Sequence, residues 1–543
     1  MNNKLRVALL IDDFNVPYWK YKVVEDIINS NHSKVVLSIK INNKTNTSLN
    51  SFSLYNLFCK IENVLFKKNI VAFTIQSLKN IIGDNILSLE CEFINLKTYF
   101  NSDDITKIKQ QNIDVILSLS DSKVGGDILN VPKNGLWSYH HGDYNVHRGG
   151  PSGVWEVIEN WKETGTSFLK IMENQEDNLI LYQSYSTTNE LSINRSKNNY
   201  FLNAISIAPR VLKKLYNLGE IEFKKDIQKK NLIPNFYYNN KKNPPSNFQM
   251  IKGISMLYFK FIKKKINSIF FFEQWILLYN FRNNNSISKS FYQFKRLLPP
   301  KGRIWGDPFI HFKNEIYYIF FEDMSIKENI GKISVIEINE KGEHTNPQII
   351  IDEKYHLSYP FLIEEKDTLY MIPESGMNRT IDIYKCVDYP YKWEYLKNLM
   401  NNINAKDTTV FKYNGLFWLF TILQEQKGAS TQEELSLFYS NDLFTENWYP
   451  HIQNPIVSDI KKARPAGNIF IHNNRIYRPA QDCSIHYGYG MRIMEIISLT
   501  KENYEEKEVQ SIHPNWAKDL ISTHTINHLN KLTVIDAVIK RRK

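Results

Sequence analysis

The chain has 543 residues, of which 42% are hydrophobic, 13% aromatic and 23% charged. This balance excludes a disordered chain and a collagen-like fibre, and the length excludes a single small domain. The four cysteines are scattered without a CxxC spacing, which argues against a disulfide-stapled secreted protein and a cysteine-rich zinc module. We therefore expect a globular cytoplasmic protein, and the abundance of Asn and Lys is compatible with an AT-rich bacterial gene.

The net charge of +11 is concentrated in two stretches of the chain. Residues 222–265 hold 11 lysines against two acidic residues, and residues 540–543 are all basic. The remainder is close to neutral, which argues against a nucleic-acid groove over a whole domain. The apolar run at residues 7–11 is too short for a signal peptide, and no uncharged apolar stretch reaches the roughly 18 residues of a membrane helix. We expect neither nucleic-acid binding nor a membrane span.

The amino-terminal third predicts strands that alternate with helices. Residues 4–11 and 113–119 have the apolar character of buried strands, and residues 18–29 have the pattern of a helix. This order predicts an α/β domain built on a mostly parallel sheet, whose ligands bind beyond the carboxyl ends of the strands. A dense polar stretch at residues 137–151 follows the second strand and includes His140, His141 and His147.

Three interpretations of this polar stretch are open. It can be a surface loop with polar histidines. A metal site is the weakest interpretation, because no His pair has helical i, i+4 spacing and no Cys partner is near. General acid/base chemistry needs a carboxylate to orient the histidine, and Glu173, Glu176 and Asp177 follow downstream.

Residues 135–181, with the runs SYHHGD, RGGPSGVWEVIEN, TGTSFLKI and EDNLIL, resemble the catalytic core of the formyltransferase family. The resemblance implies a Rossmann-like α/β fold and transfer of a formyl group from 10-formyltetrahydrofolate to an amine. It places His140 at the catalytic histidine, Arg148-Gly149 at the Arg-Gly pair and Thr164-Gly165 at the Thr-Gly pair. Asp177 best matches the catalytic aspartate, although a gapless count from Gly165 reaches Glu176.

One position departs from that family. Ser138 stands where the family has an Asn that donates a hydrogen bond to the formyl oxygen, and loss of an oxyanion donor costs roughly 100- to 1000-fold in rate. The resemblance implies that His140 takes the proton of the attacking amine, that Asp177 orients His140 and that Ser138 assists the oxyanion. The neighbouring candidates for substrate binding are His141, Asp143, Arg148, Gly149, Gly150 and Glu176.

Residues 221–272 form a basic connecting segment between two predicted domains. A cluster of Asn, Lys and Pro at residues 239–246 predicts a break, and residues 250–272 mix Lys with Leu, Phe, Ile and Met over about six turns. A basic amphipathic helix of this kind can lie on an anionic membrane surface, here the inner face, and the alternative is an ordinary interdomain helix with solvated lysines.

The carboxy-terminal half contains a fivefold repeat. A turn residue followed by an apolar strand recurs at residues 314–317, 367–370, 414–417, 474–477 and 530–533. A spacing near 50 residues, with room for four strands per unit, predicts a five-bladed β-propeller at about residues 273–543. The strand before each turn should begin near the central axis. Residues upstream of the turns, with one acidic residue of the second blade, are therefore predicted to share one funnel: Asp307, Tyr359, Glu374, Asp407, Arg464 and His524.

This half resembles the five-bladed propellers of the arabinanase, levansucrase and invertase superfamily, and more closely the amino-terminal domain of glucosamine inositolphosphorylceramide transferases. The resemblance places Asp307 and Asp407 at the first-blade and third-blade carboxylates. The superfamily's glycosidases take a general acid from a fourth-blade Glu, where this chain has Arg464-Pro465. Saccharide or phosphosugar binding is therefore favoured over hydrolysis, for which Glu374 is the substitute acid. Alternatively, the two aspartates only cap strand ends.

Together these patterns predict a formyltransferase-like domain at residues 1–220, a basic linker and a propeller. The leading hypothesis is N-formylation of an amino sugar, nucleotide-linked or not, with the propeller holding the glycan. Two other hypotheses stay open. One is a glycosyltransferase or glycoside hydrolase with its chemistry in the propeller funnel, and the other is a non-catalytic glycan-binding protein.

Overall fold

The structure is a computed structural model that describes residues 3–42, 53–66, 70–83, 86–90, 92–94, 97–146, 148–234, 236, 243–283, 287–288 and 290–543. The chain divides into two units. Unit 1 comprises Met1–Phe261 and Gln426–Ala429, and unit 2 comprises Ile262–Glu425 and Ser430–Lys543. His147, Cys91 and residues 239–242 of the predicted break lie outside the described residues.

The described residues of unit 1 form seven α-helices and eleven strands, and the last helix continues into unit 2. The helices are α1 Tyr18–Ile28, α2 Leu54–Phe66, α3 Ser102–Lys109, α4 Val154–Ile158, α5 Ile193–Ala204, α6 Ile207–Lys230 and α7 Asn247–Phe270. The strands are β1 Leu5–Ile11, β2 Asn15–Pro17, β3 Ser33–Asn42, β4 Ile75–Ser77, β5 Ile86–Glu90, β6 Glu92–Ile94, β7 Lys97–Tyr99, β8 Val115–Ser118, β9 Leu136–His140, β10 Glu163–Lys170 and β11 Leu179–Thr187.

Seven of these strands form the central sheet of unit 1, in the order β11-β10-β9-β8-β1-β3-β5. The five strands from β9 to β5 in this order are parallel to one another. Strand β10 is antiparallel to both of its neighbours, β9 and β11. In β1, Val7 and Leu9 face one apolar core and Ala8 and Leu10 face another. The apolar run is continuous because both faces of this strand are buried.

The domain boundary lies later than residue 220. Helix α6 is interrupted at Gly219, whose φ of 74° and ψ of 168° are not helical. Its second part still belongs to unit 1, because Phe223 and Ile227 lie in the main core of that unit. The first half of α7 also packs on unit 1, where Leu257 joins the cluster around Trp155. The connecting segment is therefore largely helical.

Unit 2 consists of five β-sheets in succession, which is the five-bladed propeller that the repeat predicts. The first strands are β12 Phe271–Phe281 and β13 Lys295–Leu297. The first and second blades contain β14 Arg303–Lys313, β15 Ile316–Ser325, β16 Gly331–Ile338, β17 Gln348–Ile351, β18 Ser358–Glu365, β19 Thr368–Ser375, β20 Thr380–Asp388 and β21 Lys392–Asn401.

The third and fourth blades contain β22 Ala405–Tyr413, β23 Leu416–Leu423, β24 Glu434–Ser440, β25 Tyr449–Pro450, β26 Val457–Ser458, β27 Phe470–His472, β28 Arg475–Asp482, β29 Gly490–Leu499 and β30 Tyr504–Ile512. The fifth blade joins the two ends of the unit. It combines β12 and β13 with β31 Leu520–Ser522, β32 Ile526–Leu529 and β33 Leu532–Arg542.

The repeated turns link the first two strands of each blade. The first four have two successive residues with positive φ: Asn314 and Glu315, Lys366 and Asp367, Asn414 and Gly415, and Asn473 and Asn474. This backbone suits two-residue hairpins, whose twist matches that of the flanking strands. The recurring turn residue therefore marks the hairpin between the first two strands of a blade.

Strand β33 pairs antiparallel with β12 along eleven positions, from Phe271 opposite Arg542 to Phe281 opposite Leu532. The basic tail predicted at residues 540–543 is thus mostly a strand, in which Arg541 donates to Gln274 Oε1 at 2.5 Å. None of the helices that the structure describes has the length and apolar character of a membrane-spanning segment.

Candidate functional site

A pocket of about 720 Å³ opens in unit 2 where the inner strands of the blades begin. It is lined by Gly306, Ser358, Lys406, Arg464 and His524, which come from the starts of five successive blades. The ends of the second strands also reach it, because Glu322 pairs with Gly306 and Glu374 pairs with Ser358. Of the six residues predicted for the funnel, Glu374, Arg464 and His524 line this pocket, whereas Asp307, Tyr359 and Asp407 are not among its lining residues.

The inner strands of the first three blades share one irregularity at this point. Their pairing registers skip between Gly306 and Phe309, between Ser358 and Phe361, and between Lys406 and Thr409. Asp307, Tyr359 and Asp407 occupy the skipped positions, with φ of 50°, 45° and 49°. A bulge with positive φ turns these side chains below the pocket lining, and all three are buried.

Tyr359 ties three blades together under the pocket. Its hydroxyl shares a hydrogen bond with Thr409 at 2.9 Å and accepts one from the Gly467 amide at 2.8 Å. These bonds hold a left-handed conformation that a bulky residue adopts only under constraint from its surroundings. Tyr359 therefore holds these three blades together and does not line the pocket.

His524 is held between two carboxylates. Its Nδ1 lies 2.6 Å from Asp536 Oδ2 and its Nε2 lies 3.6 Å from Asp307 Oδ1. Burial by itself lowers the pKa of His524, but the carboxylates of Asp536 and Asp307 outweigh it and raise the pKa above its ordinary value. Burial in turn raises the pKa of Asp307 to about 6. Trp275 stacks on the other side of the imidazole at 4.1 Å.

Asp307, His524 and Asp536 are close enough together to be tested as a cation site. The Asp536 oxygens already accept from the amides of Asp307, His524 and Thr525, as well as from the imidazole. A carboxylate with all these donors has no lone pair left for a metal ion. The hydrogen bonding fits a clamped imidazolium better than a metal centre.

Arg464 forms a bidentate pair with Asp407, with Nε to Oδ2 at 2.5 Å and Nη2 to Oδ1 at 3.1 Å. Its guanidinium also lies 3.5 Å from Glu374 Oε2 and 4.9 Å from the centre of the Tyr487 ring. Glu374 pairs with Lys406 at 2.5 Å. Burial raises the pKa of Asp407 to about 6 against the opposing effect of Arg464.

Glu322 is a carboxyl group of the lining that the sequence does not single out. Burial and the neighbouring carboxylates of Asp307, Glu374 and Asp407 raise its pKa well above the ordinary value. His356 lies 3.4 Å away, and its Nδ1 accepts from the Gly331 amide at 3.0 Å, which leaves Nε2 as the protonated nitrogen facing Glu322. Burial also lowers the pKa of His356, so the shifts of both groups favour their uncharged forms.

The polar stretch of unit 1 folds into a loop after β9 that is tied to the turn at Gln175–Asp177. The Tyr144 hydroxyl donates to the carbonyl of Gln175 and accepts from Asn178 Nδ2 at 2.9 Å. Arg148 Nε donates to the carbonyl of Tyr144 at 2.9 Å, and Gln175 Nε2 donates to the carbonyl of Arg148 at 2.8 Å. These bonds bring together the two segments that carry His140 and Asp177.

His140 ends β9 half-buried, with the ring of Tyr144 edge-on at 5.3 Å. Ser138 lies in the same strand and Gly149 in the loop, both half-buried, whereas Gly150 is exposed. Asp143 Oδ1 accepts from Gln183 Nε2 at 2.9 Å. Glu176 and Asp177 are exposed in the turn, where Asp177 accepts from Asn174 at 3.0 Å. The assistance of Asp177 to His140 stays a prediction.

His141 has a different environment from the one expected for a substrate-binding residue. Its ring stacks on Phe201 at 3.7 Å and lies edge-on to Trp19 at 4.9 Å. Both ring nitrogens are buried without a hydrogen-bond partner among the described residues. Burial lowers the pKa of His141 well below its ordinary value, so it is a neutral histidine of the core.

The comparisons with known proteins concern the propeller. Residues 301–531 match the family model described as glucosamine inositolphosphorylceramide transferase 1, N-terminal. The protein of that name from Oryza sativa subsp. japonica is 34% identical over 207 residues, which are 38% of this chain and 28% of the rice protein. Its Arabidopsis thaliana counterpart is 32% identical over 207 residues, or 38% and 27% of the two chains. These plant relatives give no support to a bacterial source.

Solved structures with loose similarity include a family 117 glycoside hydrolase produced by the marine bacterium Zobellia galactanivorans. It is 12% identical, with a TM-score of 0.33 over 50% of this chain and 90% of its own. The RS223 beta-xylosidase is 11% identical, with a TM-score of 0.32 over 43% and 91% of the two chains. This chain spans less than a third of the length of the rice and Arabidopsis proteins, and residues 301–531 resemble the amino-terminal part of that transferase family.

Proposed function

We propose that this chain is a glycan-modifying protein of the transferase class whose propeller pocket holds a sugar. The observation that carries the proposal is the combination of Trp275 and Tyr487 with the charged groups of Arg464, Glu374 and Lys406 around one cavity. Aromatic faces pack against the C–H faces of a sugar ring by dispersion, while the charged groups bond its hydroxyls. The name of the plant relatives supports the transferase class.

The charges of the floor favour a neutral or amino sugar over a phosphosugar. The pocket lining and the buried residues beneath it hold five carboxyl groups and four basic groups. The carboxyl groups are those of Asp307, Glu322, Glu374, Asp407 and Asp536, and the basic groups are those of Arg379, Lys406, Arg464 and His524. Arg464 is already paired with Asp407, and Lys406 with Glu374. An additional anion beside these ion pairs would lie among carboxylates, and the further cation of the lining is Arg379, whose Nη2 donates to the carbonyl of Asn402.

The pocket offers little support for hydrolysis by Glu374. That carboxylate is ion-paired with Lys406 and lies beside Arg464, so it is not the uncharged acid that protonates a leaving group. Arg464 stands at the fourth-blade position and neutralises Asp407. Binding of the sugar therefore fits the pocket better than cleavage.

Calorimetry with the full chain tests this proposal, with glucosamine, N-acetylglucosamine and glucose 6-phosphate as probes. We expect binding of the uncharged or amino sugar, weaker binding of the phosphosugar, and a loss of at least roughly tenfold on Tyr487→Ala. Tyr292→Ala is the matched control, because Tyr292 is 72% exposed and does not line the pocket. The absence of binding, or equal loss in both variants, would overturn the proposal.

Formyl transfer by unit 1 is the second candidate, and the ties between the His140 loop and the Gln175–Asp177 turn favour it. In this mechanism, His140 would take the amine proton at the carboxyl end of β9 and return it to the tetrahydrofolate nitrogen that leaves as the formyl–amine bond forms. Asp177 would orient His140, and Ser138 would donate to the oxyanion. The formyl group would come from 10-formyltetrahydrofolate. The half-buried His140 and Ser138 at one strand end fit a reacting carbonyl, because both present polar atoms on the same segment.

Titration of a folate derivative into the full chain tests this second candidate. We expect binding that His140→Ala weakens or leaves unproductive, with no formylated amino sugar formed by that variant. No folate binding at millimolar ligand would exclude formyl transfer and leave the propeller proposal untouched.

A further inference from the structure

Helix α7 carries an exposed apolar stripe that the proposals for the pocket and the His140 loop do not use. The stripe consists of Phe248, Ile251, Tyr258, Ile262, Ile266 and Ile269, whose exposed fractions range from 36% to 76%. At about 100° per residue these six positions fall within about 80° of the helix circumference. They therefore form one continuous face rather than scattered exposed residues.

The opposite face of α7 accounts for its attachment to unit 1. Met250, Gly253 and Leu257 are its buried residues, and a Cβ at Gly253 would lie 2.9 Å from Ile158. From Phe261 to Phe270 every residue except Asn267 is exposed. The stripe thus points away from the packed face, and an amphipathic helix with an uncovered apolar face is typical of a binding surface.

Lysines border this stripe on both sides. Lys252 and Lys263 lie along one edge of the apolar face and Lys265 lies along the other, by the same helical geometry. Residues 247–270 contain no aspartate or glutamate. The face therefore combines apolar area with positive charge alone.

We propose that α7 docks on the surface of an anionic lipid bilayer. Its apolar side chains would enter the boundary between headgroups and acyl chains, and its lysines would reach the lipid phosphates along their aliphatic stems. The charge pattern favours a lipid surface over a second copy of the chain. A symmetric pairing of two α7 helices through this face would bring their lysines close together, and like charges repel. Docking on a lipid surface also explains why the described part of the chain leaves so much apolar surface exposed on a helix with no acidic residue.

Sedimentation of the full chain with vesicles tests the proposal. We expect binding to vesicles of phosphatidylcholine with phosphatidylserine and much weaker binding to phosphatidylcholine alone. Lys252→Glu, Lys263→Glu and Lys265→Glu combined should reduce the binding at least roughly tenfold. Lys341→Glu, Lys392→Glu and Lys518→Glu combined are the matched control, because these three lysines are exposed in unit 2.

A second variant separates apolar insertion from charge attraction. Ile262→Ser, Ile266→Ser and Ile269→Ser combined should weaken vesicle binding while the melting temperature stays unchanged, since these side chains are exposed. Equal binding to neutral vesicles, or equal loss in the control triple variant, overturns the proposal. A concentration-dependent dimer that the isoleucine variant dissociates, without vesicle binding, would assign the stripe to a second copy instead.

Discussion

Arg464 and Asp407 form a bidentate ion pair between the fourth and third blades, with the Asp407 side chain 1% exposed and that of Arg464 8% exposed. The pair links the start of β22 with the segment that precedes β27. It also fixes the floor of the pocket, because Gln481 Nε2 donates to the same Asp407 oxygen at 2.8 Å.

Removal of one partner from this pair should be costly. Arg464→Met leaves a buried carboxylate without its counter-charge, and we expect a loss of about 3–5 kcal/mol in the free energy of unfolding. Urea denaturation at neutral pH measures it. The double variant Arg464→Met, Asp407→Asn should recover part of the loss, and a double variant as unstable as the single one would contradict this account.

The clamped imidazole of His524 should make stability depend on pH. Its pKa is raised in the folded state, so its contribution is complete below about 6.5, the value in the unfolded chain, and is lost as the pH rises through the folded value. Asp307, with its pKa raised to about 6, acts in the same direction at lower pH. Unfolding experiments from pH 5 to pH 9 should show the decline above about 6.5 in the native chain and a flatter curve for His524→Gln.

Glu322 and Glu374 occupy equivalent positions in the first two blades but should respond differently to amide substitution. Burial and the neighbouring carboxylates raise the pKa of Glu322 and favour its uncharged form. Glu322→Gln should therefore change the free energy of unfolding at pH 7 by less than about 1 kcal/mol. Glu374→Gln breaks the pairs with Lys406 and Arg464 and should cost about 1–3 kcal/mol. The reverse order would show that Glu322 carries the charge.

Gly165 should be intolerant of a side chain. A Cβ at this position would lie 2.8 Å from the backbone of Asp143, so Gly165→Ala must displace the loop after β9 at a cost of about 1–3 kcal/mol. Gly83→Ala is the control, because no atom lies within 4 Å of the added Cβ. Similar melting temperatures for the two variants would contradict this close packing.

Ser138 provides a direct test of the second candidate function. If unit 1 transfers a formyl group, Ser138→Asn supplies a longer oxyanion donor and should raise the rate at least roughly tenfold. The rate of formylated amino-sugar formation measures it, with Ser138→Ala as the variant that removes the donor. An unchanged rate in both variants would remove Ser138 from the proposed mechanism.

The propeller could be predicted from the sequence because each blade repeats a hairpin whose turn chemistry is local. Asn314 and Asn414 mark positive φ in the chain itself, and the residues upstream of each turn then follow from propeller geometry. Glu322 was missed because its position is set by pairing with Gly306, a relationship across two strands. The equivalence of Glu322 with Glu374 in neighbouring blades was the available signal.

Unit 1 was harder to predict in detail. The sequence predicts the polar loop and the parallel strands. It does not show that the neighbouring residues His140 and His141 have different surroundings, because these depend on which face of the sheet each side chain lies on. His140 ends at the loop, whereas His141 enters the core among aromatic rings. The predicted domain boundary at residue 220 differs from the division in the structure for a similar reason. The packing of α6 and α7 on unit 1 is a tertiary contact, which local sequence patterns do not reveal.

The pairing of β12 with β33 has a consequence for synthesis of the chain. About 250 residues separate the end of β12 from the start of β33, and at about 5–20 residues per second their translation takes on the order of 12–50 seconds. During this interval β12 has no permanent neighbour on its inner side and presents open backbone amides and carbonyls. Strand β33 completes the ring, so the propeller reaches its final topology only after β33 has been translated.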